Sequence, residues 1–151
     1  MIKKLLKFLF TDDILKKDIA FLKKIVLFRN LSEKHLAKVA LIVFKKTYFA
    51  GEKIYEVHQE ANVVYIVKSG HVRLNAGSDG KFVETGDFFG EISLIGNCRH
   101  NCAAVALKDS ELYLIYRAKF DDMFLSNGKV GLAIMKNLAL IFAKRLEYSE
   151  I

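Results

Sequence analysis

Two short stretches carry residue types at spacings that could do chemistry. In Gly86-Asp87-Phe88-Phe89-Gly90-Glu91-Ile92-Ser93-Leu94-Ile95, two glycines four apart bracket an acid and two aromatic rings, and Glu91 to Ile95 has the length of one helical turn. Gly90 has no Cβ, so the backbone there can come close to a ligand. The N–H groups that open a helical turn favour an anion. Glu91, first in that turn, can accept hydrogen bonds from sugar hydroxyls or cap the turn itself. The chemistry on offer is the holding of a sugar phosphate, although a purely structural turn would use the same residues.

The second stretch is Cys98-Arg99-His100-Asn101-Cys102. Thiols and an imidazole are metal-ligating types, but no fourth ligand lies nearby and the spacing fits no common zinc pattern, so no metal site is expected. A Cys–His nucleophile pair would need an orienting group that the sequence does not supply. No serine, histidine and carboxylate constellation suggests hydrolysis either, so no catalytic residue is assigned and the chain reads as a non-enzyme. Cys102 reads as a small buried hydrophobe and Cys98 as an idle loop thiol, with a redox-sensing thiol as the alternative. His35, His58 and His71 are scattered and suit surface or capping roles. Of Phe88 and Phe89, one ring is expected in the core and the other at a hinge.

The elements that must position these stretches separate by period. Residues 1–45 read as helices: a short one within the first ten residues, a second capped by Thr11, Asp12 or Asp13 whose apolar Ile14, Phe21, Leu22 and Ile25 recur at helical spacing, and a third capped by Ser32. Leu36, Val39, Ala40 and Val43 form the buried stripe of the third. Residues 46–116 read as seven or eight short strands about ten residues apart, which argues for an antiparallel barrel or jelly roll. Val63–Lys68 is apolar on both faces and should be central, whereas His71–Asn75 alternates, with Val72 and Leu74 on one face and Arg73 on the other. Residues 117–151 return to helix, broken at Ser126-Asn127-Gly128. The last helix, from about Lys129 to Tyr148, is apolar around most of its circumference, so one face should meet the core and another a partner helix. The whole reads as an α+β domain over residues 1–151.

Composition bounds the setting. The 151 residues are 52% hydrophobic and 27% charged, which fits one globular core. Proline is absent, so turns fall to glycine, asparagine, aspartate and serine; seven of nine glycines lie between Gly51 and Gly96, including the Gly77-Ser78-Asp79-Gly80 turn. The longest apolar runs are six residues, too short to cross a bilayer. No signal peptide is legible in the lysine-interrupted N-terminus, and two cysteines do not make a disulfide scaffold, so a cytoplasmic setting is expected. The net charge of +7 is concentrated: residues 1–50 hold eleven lysines and one arginine against four acids. Such an arm could attract an acidic partner, nucleic acid or an anionic membrane surface, but a solvated lysine-rich helix face is the preferred reading.

With these residues in view, Gly86–Ile95 resembles the phosphate-binding cassette of the cyclic-nucleotide-binding domain family. The likeness extends to Leu27–Ala40 as the helical lead-in, Phe49–Leu74 as the first strands, Ala104–Ile115 as the closing strands and the final helix, covering roughly residues 27–148. The resemblance implies a jelly roll between helices that binds cyclic AMP or cyclic GMP at the cassette. Glu91 would hold the ribose 2′-hydroxyl, Gly90, Ile92 and Ser93 would offer backbone groups, Val72 and Leu74 would line the apolar side, and the long helix would close over the base. The family also has an arginine that pairs with the phosphate, followed by a small residue. Counting without gaps puts His100 at the arginine and Asn101 after it. Arg99 falls one residue early, on the opposite face of an extended strand unless the 96–99 loop bulges. Replacing a charge-assisted fork by an imidazole costs ~1.5–3 kcal/mol, on the order of 10- to 150-fold in affinity. No cofactor beyond such a nucleotide is expected. With no DNA-binding domain after the last helix and no transmembrane segment, output is expected to pass through a homodimer formed by that helix or through another protein. The alternative is a dimeric scaffold that has lost its ligand.

Overall fold

Short β-branched and aromatic runs punctuated by glycine give eight strands: β1 (Val43–Tyr48), β2 (Lys53–Tyr55), β3 (Val63–Ser69), β4 (His71–Leu74), β5 (Lys81–Glu84), β6 (Phe88–Phe89), β7 (Ala104–Ala106) and β8 (Ser110–Tyr116). These are seen in a computed structural model, which describes residues 1–75, 78 and 80–149 and the side chains of all of these but 5–10. The strands make two four-stranded antiparallel sheets, ordered β1-β8-β3-β6 and β2-β7-β4-β5. This is the expected antiparallel β jelly roll. Its core gathers Tyr48, Tyr55, Tyr65, Val67, Val72, Phe89, Leu112 and Leu114, with Leu74 packed beside it.

Two expected features of the strands are present. β3 runs between β8 and β6 with Val63 through Val67 all buried. On β4, Val72 is buried and Arg73 exposed, as alternation requires. Between β3 and β4 the chain turns at Gly70, where φ is +109° and a Cβ would run into the Ser110 side chain. Ser110 Oγ in turn accepts the His71 N–H (3.1 Å) and donates to the Lys108 carbonyl (2.7 Å). Leu74 pairs with Lys81 across a short hairpin; Gly77 and Asp79 of its expected turn lie outside the described residues.

Residues 42–122 form this β unit, and residues 1–41 with those from 123 onward form a second, helical one. The helices are α1 (Ile2–Leu22), α2 (Glu33–Leu41), α3 (Arg117–Ser126) and α4 (Gly128–Ser149), with a single 3-10 turn at Val26–Phe28. Ser32 caps α2 as expected, its Oγ accepting the His35 N–H at 3.2 Å. Leu36 and Val39 are buried on α2. On α4 the buried residues Val130, Ile134 and Leu138 recur at four-residue intervals. Leu132, Leu140 and Leu146 are exposed on the opposite side. Asn137 donates to the carbonyls of Leu27 (3.0 Å) and Arg29 (2.8 Å), tying α4 to the turn before α2.

Two boundaries differ from expectation. Thr11, Asp12 and Asp13 do not start a helix, because α1 is continuous through them. Extending a helix costs less than nucleating another, and Asp12 pairs with Lys16 at 3.0 Å along the same face. Val43 does not belong to the α2 stripe. It opens β1, opposite Ile115, and Val43 and Phe44 begin the ladder with β8. The strands therefore begin at residue 43 and not at 46. No helix among the described residues is long and apolar enough to cross a membrane.

Candidate ligand-binding site

Gly90 is the pivot of the site. It ends β6 in the left-handed region, at φ 71° and ψ 16°, and caps a 3-10 turn at Glu91–Leu94. A Cβ here would meet the Val63 carbonyl oxygen at 2.9 Å and the Tyr65 ring at 3.2 Å. The glycine is thus required by the chain's own β3, which the turn approaches closely, as well as by its backbone conformation. The turn is a single one, so anion attraction rests on local N–H groups and not on a long helix dipole.

Two polar side chains of this turn are buried. Glu91 is 8% exposed. Its charge bears on Tyr55 and Cys102, helping to raise both above their ordinary pKa, although burial is the larger cause for each. Ser93 is fully buried, and its Oγ has no hydrogen-bond partner among the described residues. An orphaned buried hydroxyl costs about 1–3 kcal/mol. Ile92 faces solvent, while Val72 and Leu74 are in or beside the core of the roll.

His100 and Arg99 separate as the alternation demands. Arg99 is exposed on the outer side, donating from Nη1 to the His58 carbonyl (2.9 Å) with Nη2 4.0 Å from Glu60. Glu60 and Arg99 pair as an isolated antiparallel bridge, and Arg99 is not turned inward. His100 is 5% exposed and lies face to face with Tyr55, ring centroids 3.5 Å apart and planes 7° apart. Its backbone is fixed by the Gln59 carbonyl (2.9 Å) and the His58 N–H (2.8 Å). Burial pushes its pKa below the ordinary 6.5, so the imidazole is neutral at pH 7. Asn101 is exposed.

Sequence reasoning missed the group around His100. Tyr55 donates its hydroxyl hydrogen to Cys102, so Cys102 is a polar partner as well as a buried thiol. Tyr55 also lies near Tyr65 (5.7 Å) and Phe89 (6.1 Å), and Tyr65 stacks on Phe89 at 5.0 Å. Burial drives both tyrosines' pKa upward, so they act only as neutral hydroxyls. Of the expected site residues, Glu91 and His100 thus converge on Tyr55, Ser93 is sealed in the turn, and Arg99 and Asn101 point away. Both cysteines are free thiols. Among the described residues, no three His, Cys, Asp or Glu side chains are grouped to hold a metal.

The glycine-capped turn at Gly90–Leu94 follows the sixth strand of an eight-stranded antiparallel jelly roll. The chain belongs to the cyclic nucleotide-binding domain family, whose model matches residues 45–127. It is 29% identical over 86 residues to a cGMP-dependent protein kinase of Caenorhabditis briggsae, covering 52% of this chain and 12% of the kinase. It is 28% identical over 131 residues to the cyclic AMP receptor protein of Thermus thermophilus, covering 83% of this chain and 59% of the receptor. The crystal structure of the Thermus thermophilus catabolite activator protein superposes with a TM-score of 0.71 at 25% identity, over 83% of this chain and 60% of that one. The chain therefore spans little more than half the length of one curated relative and a small part of the other.

Proposed function

We propose that the chain is a non-catalytic regulatory module that senses a cyclic nucleotide at Gly90–Ser93. The observation that carries this reading is the polar lining of the turn: a buried carboxylate at Glu91 and a buried, unpartnered hydroxyl at Ser93. Burying the Ser93 hydroxyl without a partner costs free energy that a hydrogen bond from a sugar phosphate would return. In this reading Glu91 takes a ribose hydroxyl and the Gly90–Ser93 backbone takes the phosphate. Val72 and Leu74 border the apolar part. The signal passes to α4, whose exposed Leu132, Leu140 and Leu146 suit a second copy of the same helix. A ligand that binds one arrangement better shifts the population toward it.

A specific observation favours a second reading. His100 is neutral, buried and stacked on Tyr55, so the position that would meet the phosphate offers no cation. A scaffold that has given up its ligand would look the same there. Calorimetric titration with cyclic AMP and cyclic GMP decides between them. The sensor reading expects binding weaker than micromolar, a tenfold or larger gain in His100→Arg, and a ligand-dependent change in sedimentation of the full chain. No heat at millimolar nucleotide in either protein would leave the scaffold.

A further inference from the structure

The outer face of the 96–99 loop carries a second constellation that the cassette does not use. A cleft of about 310 Å³ is lined by Glu60, Asn62, Asn97, Cys98, Arg99 and Arg117, all within the β unit. That volume is at the lower end for small-molecule sites. We propose that this cleft binds a small carboxylate- or phosphate-bearing molecule, held by Arg99 and Arg117.

Both guanidiniums are oriented before any ligand arrives. Arg99 commits Nη1 to the His58 carbonyl, and Arg117 commits Nη1 to the Gly96 carbonyl. Each guanidinium has five N–H donors, so most of each fork is left over after those bonds. A planar fork matches the paired oxygens of a carboxylate or phosphate. Holding it in place beforehand reduces the ordering cost of binding. Two guanidinium charges against the single Glu60 carboxylate leave the cleft positive. Glu60, Asn62 and Asn97 add acceptors, so a hydroxyl or amino group next to the anionic head fits better than a bare ion. The proposal is independent of the cassette, because none of its residues takes part in the stacking at Tyr55.

Cys98 supplies the test, since it lines the cleft while Cys102 is buried. Iodoacetamide labelling of the full chain, followed by mass spectrometry, should modify Cys98 and spare Cys102. Inorganic phosphate or succinate at about 20 mM should slow Cys98 labelling about fivefold, beyond sodium chloride at the same ionic strength; which anion protects better identifies the headgroup. Arg99→Gln should abolish protection relative to its own anion-free rate with no change in melting temperature, and Arg99→Lys should keep part of it. No protection by either anion, equal protection by chloride, or undiminished protection in Arg99→Gln would overturn the proposal.

Discussion

The His100 ring is buried against a stacking partner. Against Tyr55 it gains about 0.5–1.5 kcal/mol of aromatic contact, and the burial that provides this contact makes protonation unfavourable. The consequence has a definite sign. A histidine whose folded pKa lies below its unfolded 6.5 leaves stability intact above that value. Stability falls as pH drops through 6.5 toward the folded value, because only the unfolded chain then takes up the proton. Melting temperature should therefore decline between about pH 7 and pH 5, above the range where carboxylates titrate, and His100→Gln should flatten that decline. An unchanged slope in the variant would mean that the imidazole is not the group responsible. Glu91 and Ser93 were legible as site candidates from their place after Gly90. Tyr55 was not, because it lies 45 residues from His100 and only the folded register brings the two rings together.

At the scale of elements, the turn after β6 is shaped by its approach to β3. Gly90→Ala would place a methyl group against the Val63 carbonyl and the Tyr65 ring in a left-handed conformation. The backbone term alone is ~1–2 kcal/mol, and with the contact the loss should reach about 2–4 kcal/mol, read as a lower urea midpoint with unchanged slope. A loss under about 0.5 kcal/mol would show that the turn relaxes away from β3. The strand pattern was readable because each strand is two to seven residues long and bounded by a turn signal. Two boundaries were not. Thr11-Asp12-Asp13 has the composition of a cap, yet is the middle of α1, and Val39–Phe44 is one apolar run divided between α2 and β1. Local composition does not reveal where such a run changes from helical to extended; the ladder with β8 does.

For the molecule as a whole, residues from both ends of the chain build one helical unit, and Asn137 is its clasp. Its amide supplies two hydrogen bonds to the carbonyls of Leu27 and Arg29. Asn137→Ala should cost about 1–3 kcal/mol, since two acceptors lose their donor. Hydrogen exchange should show faster opening of α2 and α4, with the strand amides unchanged. Equal acceleration in the strands would mean that the two units unfold together. This interlocking also sets an order of events at the ribosome. The first 41 residues emerge early, yet their partners from Val130 to Leu138 are made some ninety residues later, roughly 5–20 s at ordinary translation rates. Throughout that interval the nascent N-terminal helices have no completed interior. The strands can pair in the meantime, and closure of the helical half is left until α4 has been synthesised.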